Sequence, residues 1–71
     1  MLYFSRHAKR RMQWRQILEE EVKAVITSPD RLMETAKGRM NAWKQVNQKL
    51  LKVTYKMEHD TITIVTVIVV K

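Results

Sequence analysis

Seventy-one residues make one small domain, and a chain this short buries only about 60% of its unfolded surface. It contains no cysteine, which excludes disulfides and thiolate metal sites, and its two histidines, His7 and His59, are too few for a histidine-rich metal site. Fourteen lysines and arginines against seven acids leave a formal net charge of +7, a field that favours nucleic acid or another anionic partner, although in many small proteins excess charge serves solubility alone.

A core this small gains from burial against a second copy, so a homodimer is one expected state. Charges follow directly on Met1 to Phe4, so the start does not read as a signal peptide. The run from Ile62 to Val70 is about half the length of a membrane helix and is interrupted by Thr63 and Thr66, so it reads as a buried strand. These readings predict a soluble, cytoplasmic protein without a membrane anchor.

The first helix is expected over residues 5–14. Ser5 is a suitable N-cap, and Phe4, Ala8 and Met12 recur every fourth residue along one apolar face. The neighbouring stripe carries His7, Arg11 and Trp14. A second helix is expected over residues 19–27, with Leu18, Val22, Val25 and Ile26 facing the core and Glu19, Glu20 and Glu21 in the first turn, where carboxylates complement the helix dipole. Leu18 is a poor cap, so this start depends on Ile17 and Val22 packing as a hydrophobic staple. Ser28-Pro29-Asp30 then stops the helix.

Beyond Pro29 the period changes to two. Strands are expected over residues 31–35, 40–46, 51–57 and 61–70, separated by turns at Lys37-Gly38, Asn47-Gln48 and Glu58-His59-Asp60. The last strand is apolar on both faces at its far end, which places it centrally or in an interface. The predicted fold is therefore α+β, with two N-terminal helices packed on one face of a four-stranded antiparallel sheet.

Between Ser5 and Gln16 lie Arg6, Lys9, Arg10, Arg11 and Arg15, with no acid among them. Ordinary solvated helices interleave signs, because like charges one turn apart repel. A basic face with Trp14, Trp43 and Tyr55 available for stacking suits RNA, and both tryptophans are equally ordinary core anchors. His7 is the candidate general base, with Arg11 one turn on as the cation for a phosphate. A histidine near a helix start is also an ordinary structural residue, and His59 in its turn needs no further role. Glu19, Glu20 and Glu21 point in three directions and cannot converge on one metal ion. No phosphate loop, CxxC pair, HExxH helix or nucleophile elbow is present, and nothing calls for a cofactor.

The run Phe4-Ser5-Arg6-His7-Ala8-Lys9-Arg10-Arg11-Met12-Gln13-Trp14-Arg15-Gln16-Ile17 carries the pattern His-Ala-x-x-Arg-Met-x-x-Arg-x-Ile. Glu20-Glu21-Val22, Pro29-Asp30, Lys37-Gly38-Arg39, Leu51-Lys52-Val53-x-Tyr55 and Ile64-Val65-Thr66-Val67 follow in order. The chain thereby resembles a widespread bacterial family known as domain of unknown function 4258, itself similar to the BrnT and RelE type of ribonuclease toxins. Leu18 stands where that family usually has a Ser or Thr cap.

The resemblance implies two helices followed by an antiparallel sheet, and a metal-independent endoribonuclease toxin restrained by an acidic antitoxin protein. It points to His7, Arg11 and Thr66 as catalytic residues, with Thr66 on an otherwise apolar strand face that includes Ile62, Ile64 and Ile68. Arg6, Arg10, Arg15, Lys52 and Tyr55 would contact the RNA. The alternative expectation is a non-catalytic basic module that binds nucleic acid or protein through the same helix.

Overall fold

The computed structural model describes residues 1–70. The chain begins with a short strand β1 (Leu2–Phe4), followed by α1 (Arg6–Arg15) and α2 (Glu19–Thr27). Four further strands follow: β2 (Arg31–Glu34), β3 (Arg39–Val46), β4 (Lys49–Glu58) and β5 (Thr61–Val69), with a single 3-10 turn at Ala36–Gly38 between β2 and β3. The fold is α+β, as expected, but the sheet has five strands in the order β1-β5-β4-β3-β2 and is mixed. β1 runs parallel to β5, pairing Leu2 with Ile62 and Phe4 with Ile64. Three residues are too few to carry an alternating signal, so Met1 to Phe4 reads in sequence only as the approach to a helix.

β5 lies between β1 and β4 only over Ile62–Ile64; its far end, whose apolar character suggests a central or interface position, pairs among the described strands with β4 alone. β1 flanks β5 as far as Ile64, and from Ser5 onward the chain continues as α1, which packs against β5. Val67 is fully buried although no described strand pairs with that side of β5 beyond Ile64. The helix thus takes over where the edge strand ends, which keeps an apolar strand edge from solvent.

Three of the four helix termini have an identifiable cause. Ser5 caps α1, its hydroxyl oxygen accepting from the Ala8 N–H at 3.1 Å. The helix ends in a left-handed Gln16, φ 55°, with the Gln16 N–H on the Gln13 carbonyl and the Ile17 N–H on the Met12 carbonyl. At the start of α2 the Leu18 N–H donates to the Glu21 carboxylate at 2.9 Å, one half of a capping box. Ile17 and Val22 are both buried in the core, as a staple requires, but Leu18 is exposed and does not belong to the core face of α2.

One core joins both helices to one sheet face. Ala8 and Met12 of α1 and Val22 and Val25 of α2 cluster with Ala42, Leu51, Val53, Tyr55, Ile64 and Val67. The alternation of β4 is clean: Leu51, Val53 and Tyr55 are buried, and Lys52, Thr54 and Lys56 between them belong to the opposite face. Among the described residues no helix covers that outer face. Asn47-Gln48 forms a two-residue hairpin with both residues at positive φ (49° and 69°), the geometry that matches strand twist.

β5 departs from the simple period. Tyr55 pairs with Ile64 but Thr54 pairs with Thr66, so Val65 is skipped as a β-bulge. Before the bulge Ile62 and Ile64 face the core, and after it Val67 does. Thr66 and Ile68 lie with Thr54 and Lys52 on the outer face. The bulge reverses the parity of every later residue.

Candidate nucleic-acid interface

α1 presents its charged residues in a way that follows from the burial of Ala8 and Met12. With those two against the sheet, Arg6, His7, Lys9, Arg10, Trp14 and Arg15 are exposed, and Arg11 is half-buried on the flank. Arg6, His7 and Arg10 line a shallow depression on the helix surface. His7, Arg11 and Trp14 share one stripe, as the spacing predicts.

The cations divide sharply by partner. Among the described residues, the salt bridges take Lys44 with Asp30 at 3.7 Å, Lys49 with Glu21 at 3.3 Å, and Lys56 with Glu58 at 3.0 Å. No cation of α1 is in any of them. The acids therefore neutralise part of the sheet, and the positive field of α1 is left facing solvent.

Glu21 shows where one acid of the Glu19-Glu20-Glu21 run is committed. It is buried and accepts from the Leu18 N–H, from Asn47 Nδ2 at 3.0 Å and from Lys49 Nζ at 3.3 Å. The hydrogen bond from the Leu18 backbone, with those from Asn47 and Lys49, holds its carboxyl below the usual 4.5 despite the opposing effect of burial. Glu19 and Glu20 are exposed, so the three carboxylates do not converge.

The two tryptophans have opposite fates. Trp43 is half-buried on the outer sheet face with the Arg31 guanidinium 5.2 Å and the Lys52 ammonium 5.6 Å from its ring centroid. Trp14 is 71% exposed, and no cation or ring sits against it among the described residues. Neither is an anchor of the buried cluster.

Set against these positions, the expected site separates into parts. His7, Arg11, Arg6, Arg10 and Arg15 are together on α1. Thr66 is not with them: the Val65 bulge turns it to the outer face beside Thr54, away from the helices. A strict period of two had grouped it with Ile62 and Ile64. Lys52 lies on the outer face too, over Trp43. Tyr55 is only 6% exposed, in the core, and burial raises its hydroxyl pKa above the usual 10.0; it does not present its ring to a ligand. Of the three aromatics considered for stacking, Trp14 is the exposed one, and it lies on the His7–Arg11 stripe.

Chemically, the α1 surface can hold phosphates through several guanidinium groups, with an imidazole in their midst. Among the described residues no helix is long and apolar enough to cross a membrane. Comparison with curated proteins and with solved structures gives no match. The family comparison does: the model of the domain of unknown function DUF4258 matches residues 4–69, nearly the whole chain, and this protein belongs to that family.

Proposed function

We propose that this domain binds RNA through the solvent face of α1. The observation that carries the reading is the set of five cations on one ten-residue helix, with no acid on the helix and, among the described residues, no internal salt bridge to any of them. Holding like charges one turn apart is unfavourable in the free protein, and phosphates remove the cost by displacing counterions. RNA of the cytoplasm is the polyanion proposed, and an acidic antitoxin is a protein of suitable charge to compete for the same face.

The reading is tested by polyanion affinity as a function of salt. If about three phosphates are engaged on a single strand, log affinity falls against log salt with a slope of about −2. Arg10→Glu flattens that slope and weakens binding. Affinity independent of salt, or unaffected by Arg10→Glu, overturns the assignment of α1.

A second reading keeps the ribonuclease chemistry that the sequence resemblance to BrnT and RelE toxins would imply. His7 and Arg11 on one stripe favour it, as a base and a cation one turn apart. Thr66 has no part in this version, so the leaving oxygen takes its proton from solvent or from the imidazolium formed in the first step. Purified protein incubated with RNA in chelator, beside His7→Ala, decides between cleavage and binding alone. Growth arrest on expression that His7→Ala abolishes supports the toxin reading, and intact RNA with the parent protein removes it.

A further inference from the structure

The RNA reading leaves open which form of the polymer α1 accepts, and Trp14 bears on that. An indole left 71% in water at the end of a helix adds nothing to the core, which Met12 and Ile17 close on either side of it. Its sister Trp43 is occupied by the chain's own cations, whereas none of the described residues places a cation over the π-face of Trp14. Arg10 lies one helical turn before Trp14 and Arg11 nearly one, and His7 two turns before, a span of about 10 Å along the helix. An aromatic face within reach of several phosphate-binding groups is the arrangement that stacks a base while its backbone is held electrostatically.

Resting on the RNA-binding reading, we infer that α1 takes a single-stranded stretch of RNA, one base stacking on Trp14 and the adjoining phosphates lying on Arg10 and Arg11. A duplex offers phosphates but no free base face, because its bases are stacked on one another. Trp14 therefore discriminates between the two forms, and the cations do not. The site recognises unpaired, flexible RNA such as a loop or an end, with little dependence on base identity, since every base has a π-face.

The experiment uses the full chain and two oligonucleotide probes, a single-stranded RNA and the same RNA annealed to its complement. In a Trp43→Phe background Trp14 is the sole indole, and its fluorescence reports stacking directly. Single-stranded RNA quenches it; the duplex does so weakly. In the parent background, Trp14→Ala lowers single-strand affinity about tenfold more than duplex affinity. That comparison stands even if Trp43→Phe fails to fold. Equal losses for both probes, or no loss for either, overturn the stacking inference while leaving the basic-helix reading intact. Absence of any RNA binding by the parent removes that reading itself, a distinct result. A fluorescence blue shift with anionic vesicles and no quenching by RNA assigns the indole to a lipid surface and overturns the inference.

Discussion

The Ser5 hydroxyl donates a 3.1 Å hydrogen bond to the carbonyl of Val65, the β5 residue that the sheet register skips. The same oxygen accepts from the Ala8 N–H, and the Ser5 N–H donates to the Ile64 carbonyl at 3.1 Å. One residue thus ends the pairing of β1, caps α1 and ties down the bulge. Ser5→Ala removes the cap and the Val65 bond together. We expect a loss of about 1–2 kcal/mol in chemical unfolding, seen as a lower midpoint with an unchanged m-value. A midpoint equal to the parent's would mean that the hydroxyl does not hold this junction.

That junction also marks where the sequence was legible and where it was not. Phe4, Ala8 and Met12 at intervals of four located the buried face of α1, and so fixed which of its residues meet solvent. Lys52, Thr54 and Lys56 alternating with Leu51, Val53 and Tyr55 located β4 equally well. Local spacing sufficed in both cases because one face of each element is buried. Thr66 could not be placed this way. The run Ile62 to Val70 is apolar at nearly every position, so hydrophobicity alone does not mark a change of face, and one skipped residue moves Thr66 from the helix side to the other. β1 was invisible because its signal is a parallel partner sixty residues away, Leu2 with Ile62.

Gln16 closes α1 in the left-handed region, φ 55°, where a side chain is strained and glycine is not. Its neighbours Met12 and Ile17 are buried on either side of the turn, so the conformation is imposed by packing and not by the residue's own preference. Gln16→Gly should raise stability by about 0.5–1 kcal/mol, less whatever chain entropy glycine adds to the unfolded state. Thermal unfolding checks it. A lower melting temperature would show that the glutamine side chain supports the turn in a way its backbone geometry does not reveal.

Glu21 should make stability depend on acid pH. Its folded carboxyl lies below the usual 4.5, so above that value it is ionised in both states and its contribution is complete. As pH falls below 4.5 the unfolded chain takes up the proton first, and the contribution is lost progressively through the lower, folded value. Glu21→Gln cannot ionise. Compared with the parent it should be less stable by about 1–3 kcal/mol at neutral pH, with the difference shrinking toward pH 3. Unfolding curves of the two proteins at several pH values measure this directly, and a difference that stays constant across the range would contradict it.

The last test asks which side of the sheet meets RNA. Thr66 and Thr54 form a pair on the outer face, and the Thr54 hydroxyl donates to Asn41 Oδ1 at 2.7 Å, so this row has its own internal bonding. Trp43 in the same face is covered by Arg31 and Lys52. Thr66→Val keeps the β-branched shape suited to a strand and removes only the hydroxyl. If RNA lies along α1, Thr66→Val leaves both affinity and any cleavage at the parent's level, with stability within about 0.5 kcal/mol. Arg10→Glu and His7→Ala, on the other side of the molecule, carry the losses. Should Thr66→Val abolish cleavage or weaken binding as Arg10→Glu is expected to, the ligand must reach the outer face. The cations over Trp43 would then be displaced to contact it, and the α1 assignment would fall. Running the three substitutions side by side with one RNA probe therefore decides between two surfaces that the Val65 bulge has placed on opposite sides of the sheet.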